Sequence, residues 1–251
     1  MVFRSALGVG LIAPILFFAI FFEFAWGPTP TRWPRFAARY ARSLAVQKAA
    51  PDVVVTIDRN PSTARANFTF TRVPAPSKDD AGAKATLALV HGVQDPNGAA
   101  LAALVDGAVP TNEDQPDANF FFNAGTTGGT FRLDLGATID VAQVNTYSWH
   151  PSTRGPQVYM VYASDGGTPT FALAPKVDVD PADVGWTWIA TVDTRVGQPD
   201  PGGQYGVSIS KKTGSLGAFR YLLFICYATE ADDAFGNTFY SEIDVIAKPP
   251  R

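Results

Sequence analysis

From Pro51 onward, short β-branched or aromatic runs alternate with clusters of glycine, proline and other turn formers. A chain punctuated in this way builds strands and turns rather than long helices. The runs predict strands over residues 53–57, 67–73, 119–122, 130–135, 141–149, 157–163, 186–192, 205–209, 219–227 and 239–246. Ten strands exceed what one flat sheet holds, so two packed sheets are expected. The alternation of TFRLDL over 130–135 suits a strand with one buried face, and the apolar centre LLFIC over 222–226 suits one covered on both. The expected class is all-β, a two-sheet β-sandwich of jelly-roll type. The one helical candidate is the alanine-rich stretch 98–107, and the chain has no internal repeat.

The start of the chain is of a different kind. Residues 5–22 (SALGVGLIAPILFFAIFF) are uncharged and follow Arg4, close to the roughly 20 apolar residues that cross a bilayer. A hydrophobic helix acting as a signal peptide or a membrane anchor is therefore expected over 1–27. Two signals oppose each other here. Ala25 and Gly27 offer small residues for cleavage, but Glu23 and Pro28 flank them. Four arginines follow the segment and one precedes it, against the positive-inside rule for an exported C-terminus. In the basic juxtamembrane stretch 28–50, Arg32, Arg35, Arg39 and Arg42 recur at helical steps, and Trp33, Phe36, Tyr40 and Leu44 fall on another face. That pattern fits a helix lying in a membrane interface, and equally a solvated linker containing Pro34. Export, with the domain secreted or held at the cell envelope, is the expectation for localisation.

Charge separates these segments from the remainder. Six of the 20 basic residues and one of the 23 acidic residues precede Ala49, which leaves 14 basic against 22 acidic groups in the body of the chain. A net of −8 repels a phosphate backbone, so nucleic acid is not expected as a partner. The two histidines, His91 and His150, and the single cysteine, Cys226, supply neither a zinc cluster nor an internal disulfide. Ser148 and Ser241 lack a Gly-x-Ser-x-Gly setting, and no nucleophile shows an activating partner, so the chain is read as non-catalytic. Cys226, inside LLFICY, reads as a small buried hydrophobe. Asn67-Phe68-Thr69 matches a glycosylation sequon, a triplet common by chance.

Three runs occur in a recognisable order: LVDGAVPT over 104–111, FRLDLGATIDVAQVNTYSWHPSTRGPQVYMVYASDG over 131–166, and FYSEIDVI over 239–246. Together they resemble the discoidin domain, also called the coagulation factor type C or galactose-binding-like domain. The resemblance covers about residues 85–247 and leaves 51–84 as an extra N-terminal portion of one domain spanning 51–251. It departs from the family after Asp106-Gly107, where NEDQPDANFFF replaces the usual early tryptophan.

The resemblance implies a structural calcium ion. Its ligands would be the carboxylates of Asp106 and Glu242, the carbonyls of Ala103, Ala108 and Ser241, and Thr111 through carbonyl and hydroxyl. Hard oxygen donors from two distant segments suit such a clip. The plainer reading is that Asp106 caps a turn and Glu242 pairs with a cation. The resemblance also implies a carbohydrate site on one rim, carried by Trp149, His150 and Arg154 in YSWHPSTRGP, with Asp233 and Phe235 of the loop 228–238 as further candidates. An aromatic face and a few placed donors suit an uncharged polyol. The competing reading puts Trp149 in the core and Arg154 in an ion pair. Phospholipid or protein adhesion through Phe120, Phe121, Phe122 or Phe235, and a purely structural domain without a ligand, are the alternatives to a carbohydrate-binding module.

Overall fold

A computed structural model describes residues 48–195, 200–230 and 235–249. The hydrophobic leader, most of the basic stretch and Asp233 lie outside the described residues. Among the described residues, no helix is long and apolar enough to cross a membrane.

Among the described residues nine antiparallel strands follow one another: β1 (Lys48–Ala49), β2 (Val53–Asn60), β3 (Thr86–His91), β4 (Gly128–His150), β5 (Val158–Ser164), β6 (Thr187–Asp193), β7 (Gly203–Lys211), β8 (Gly217–Tyr227) and β9 (Tyr240–Ala247). β4, at 23 residues, serves both layers of the fold. Residues Gly128 to Asp134 pair with β8, and β3 pairs with the same half of β4 from its other side. Residues Gln143 to His150 pair with β7, and Val141 to Ser148 with β9. One layer therefore runs β1-β6-β5-β8-β4-β3 and the other β2-β7-β4-β9.

The crossing between layers is set locally. Pairing with β8 breaks between Asp134 and Ile139, and Gly136 takes a φ of +79°, open to glycine without strain. Asp134 accepts the Gly136 amide at 2.9 Å and a two-pronged bond from Arg220 at 2.8 and 2.9 Å. A long strand that bends at such an irregularity can leave one sheet and enter its partner.

The period of two then sorts the side chains. Phe131, Leu133, Tyr159, Val161, Leu222 and Phe224 of the first layer meet Val144, Val207, Ile209, Ile243 and Val245 of the second in one buried core. The outer face of the first layer buries Val158, Met160, Tyr162 and Leu223 with Trp186, and Phe171 packs against them. On the second layer, the outward Tyr147 and Trp149 are covered by Phe68, Val73 and Phe70. These last contacts correct the expected strand over 67–73. That segment is an irregular strap, and Phe68 holds a φ of +47° where its ring meets Tyr147 and Trp149 edge-on.

Other expectations shift in smaller ways. The runs 130–135 and 141–149 belong to a single strand, 119–122 makes only isolated bridges, and the helical candidate is one 3-10 turn, Leu101–Val105. β3 is a strand the sequence did not suggest.

Candidate functional site

Antiparallel pairing brings the end of β4 and the starts of β5, β7 and β9 to one rim. Segments over 111–127, 151–157, 228–230 and 235–239 converge there. At their centre Phe121 and Phe239 stack with centroids 4.2 Å apart, both fully buried. The Arg154 guanidinium carbon lies 3.9 Å from the Phe239 centroid and 4.5 Å from that of Phe121, within cation–π reach of both. Its Nε donates to the Asn237 carbonyl at 3.1 Å. Asn237 is itself held by Asn123 O at 2.9 Å and Thr126 Oγ1 at 3.1 Å, which ties two of the loops together.

His150 completes the cluster. Its ring meets Phe239 edge-on at 4.8 Å, and Nδ1 accepts the Ser152 amide at 3.1 Å. Nε2 faces Asp114 Oδ1 at 3.9 Å. Burial, followed by the positive charge of Arg154, pulls the imidazole down to about 4, so the ring is neutral at physiological pH. Neutral His150, Arg154 and the exposed carboxylate of Asp114 thus offer donors and an acceptor within one small patch.

The structure separates the sequence candidates that it describes. Trp149 is 3 % exposed, packs on Phe68 and donates its indole N–H to Ser62 O at 2.8 Å. It is a core residue under the strap and not a stacking platform, because strand alternation turns it away from the rim that His150 reaches. Phe120, Phe121 and Phe122 are buried, which removes them as membrane-contacting spikes, whereas Phe235 is 59 % exposed. Ser148 donates to Gly155 O at 2.6 Å. The acidic loop 112–117 with Asp114 and the loop 228–238 with Asn237 are rim candidates in the sequence, whereas Phe121 is expected there only as an adhesion residue and Phe239 only as the start of a strand. They lie on separate loops, and only the tertiary fold makes them neighbours.

The residues implied as calcium ligands lie beside the far half of β4. Glu242, opposite Tyr147 in the ladder, is fully buried. Its Oε2 accepts the Gly107 amide at 2.9 Å, while Oε1 has no partner among the described residues. Burial and the nearby Asp244 carboxylate push Glu242 up to about 9, as expected for an anion without a neutralising charge. Asp106 is exposed and accepts the Ala108 amide at 2.8 Å, whereas the Thr111 hydroxyl and amide both reach Gln115 Oε1. Ser241 Oγ donates to Asn119 at 2.7 Å, which leaves its carbonyl role separate, and Ala103 lies in the 3-10 turn just before Asp106. Among the described residues, no three His, Cys, Asp or Glu side chains are grouped to hold a metal. A cation here would therefore depend on backbone carbonyls, and the orphaned Glu242 oxygen fits such a donor set.

No family model matches the chain, and no curated protein matches it. Similar solved structures include the family 32 CBM of NanJ from C. perfringens in complex with galactose. It is 11 % identical, with 65 % of this chain and 94 % of that chain covered and a TM-score of 0.42. The lectin domain of lectinolysin complexed with Lewis B antigen is 15 % identical, covering 69 % and 100 %, with a TM-score of 0.41. A fucolectin from striped bass (Morone saxatilis) serum is 15 % identical, covering 71 % and 50 %, with a TM-score of 0.40.

Proposed function

We propose that the β-sandwich is a non-catalytic binding module for carbohydrate, exported and either released or tethered at the cell envelope. The observation that carries this reading is the rim cluster. Arg154 stacked on Phe121 and Phe239, neutral His150 and the exposed Asp114 place hydrogen-bonding groups on a rigid apolar base at one end of the sandwich. Such a mixture suits a neutral polyol, whose hydroxyls both donate and accept. Export is supported by the uncharged segment over 5–22. A structural calcium ion, clipped between the Asp106-Gly107 turn and Glu242, is supported by the unpartnered Oε1. When bound, that ion would supply positive charge to a buried carboxylate and lock two distant segments.

A second reading is adhesion to a membrane or a protein through Phe235, favoured by that ring's exposure. A third, a structural domain without a ligand, is favoured by the burial of Trp149 and His150. Two assays on the full chain separate them. Glycan-array binding that is lost in Arg154→Ala supports the first reading. Sedimentation with anionic liposomes that is lost in Phe235→Ser, with no glycan bound, supports the second, and silence in both assays supports the third.

A further inference from the structure

A rim that holds sugars must also discriminate among them, and His150 and Asp114 are arranged to do so. Because Nδ1 accepts the Ser152 amide, the ring proton resides on Nε2, and that atom is a donor. Among the described residues Nε2 has no hydrogen-bond partner, and the nearest carboxylate oxygen, Asp114 Oδ1, stands 3.9 Å away. That separation is too long for a direct hydrogen bond. It is close to the distance of about 4.5 Å that two groups keep when both bond to one tetrahedral hydroxyl oxygen. The Asp114 side chain is 63 % exposed on its loop and can yield the remaining few tenths of an ångström. On its other side the imidazole is fixed by Phe239 and Ser152, so the adjustment that seats a hydroxyl falls to the Asp114 side chain.

We infer that Asp114 and His150 are the specificity pair of this rim, admitting a single neutral hydroxyl that accepts from His150 Nε2 and donates to Asp114 Oδ1. The inference rests on the carbohydrate reading and names its ligand class as neutral, hydroxyl-bearing glycans. A carboxylate, sulfate or phosphate group has no proton to give Asp114 at neutral pH and meets its charge, so an anionic group is rejected at this position. An ether oxygen at the same position loses the Asp114 bond as well. Asp114 belongs to the loop that departs from the discoidin pattern, so this selectivity is a property of this chain's own sequence.

The test is an array of neutral glycans and their sulfated and uronic-acid counterparts, probed with the full chain as wild type, Asp114→Ala and Arg154→Ala at pH 7. Wild type is expected to bind a neutral glycan at least tenfold more tightly than its charged counterparts. In Asp114→Ala the neutral glycan should weaken about tenfold and the neutral-to-charged ratio should fall close to one, with an unchanged melting temperature. Asp114→Ala binding that matches wild type in affinity and ratio overturns the pair and leaves the carbohydrate reading standing. Absence of all glycan binding by wild type overturns both.

Discussion

The Gly107 amide donates to Glu242 Oε2 at 2.9 Å across 135 positions of sequence, leaving Oε1 buried and unpartnered. The bond closes the Asp106-Gly107 turn onto β9, and the unsatisfied oxygen marks where a positive charge would be most effective. A cation bound only by the folded chain stabilises it by mass action, about 2.7 kcal/mol at a hundredfold excess over Kd. For a domain of this size that is a rise of roughly 5–10 °C in melting temperature. Calorimetry with calcium and after chelation checks this. Glu242→Gln should keep its stability under chelation, because the side chain is already uncharged there, and should lose the calcium increment. An equal increment in the variant would mean that calcium acts elsewhere.

Trp149 supports the strap rather than the rim. Truncating it to alanine removes the floor beneath Phe68 and leaves Ser62 O without its donor, so a loss of about 3–5 kcal/mol is expected. Trp149→Phe should cost less and leave any glycan affinity within about twofold. Denaturant unfolding beside a binding isotherm measures both quantities. Affinity lost in step with stability would return Trp149 to the binding site.

His150 makes stability depend on acidity. Its folded value is held at about 4 against an ordinary 6.5 by burial and then by Arg154, with the Asp114 carboxylate opposing. Above pH 6.5 the ring is neutral in both states and its contribution is complete. As pH falls from 6.5 to about 4, the unfolded chain takes up a proton that the folded chain does not, and stability drops. The loss is on the order of 2 kcal/mol once partial access to solvent is allowed for. His150→Gln should flatten the stability profile in that window relative to wild type. Parallel profiles for the two proteins would contradict the assignment.

Gly129 tests how closely the layers and loops are packed. A Cβ there would sit 2.6 Å from the His91 carbonyl oxygen and 2.2 Å from the Phe122 ring. Backbone cannot yield as a side chain does, so Gly129→Ala should cost about 2–3 kcal/mol or more. Gly136→Ala meets open space and carries only the cost of its positive φ, about 1 kcal/mol. Thermal melts of the two variants should rank in that order.

Period-two patterning made β4 to β9 legible, because each has a face that must be buried whatever the topology. It failed where burial came without a ladder. Phe68 and Phe70 alternate as in a strand, yet they are apolar because the strap lies on Tyr147 and Trp149. The sequence suggests two strands, 130–135 and 141–149, whereas the segment between them, where Asp134 is bonded to the Gly136 amide and Arg220, is a bend within a single strand. β3 escaped notice because TLALVH is short and lacks a clean apolar–polar alternation, and a strand bordered only by β4 needs few large side chains. At the rim, His150 and Arg154 were visible as a polar pair on one loop. Their partners Asp114, Phe121, Asn237 and Phe239 come from 29 to 89 positions away, counted from His150 along the sequence, and no spacing rule connects them.

Carbohydrate binding at the rim is tested most directly by the binding isotherm of the full chain on immobilised neutral glycans, wild type against Arg154→Ala, with melting temperatures recorded for both. Saturable binding by wild type is expected, with at least a tenfold loss in Arg154→Ala while the variant remains folded at the assay temperature. Undiminished binding by the folded variant, or no glycan bound by wild type, would contradict it.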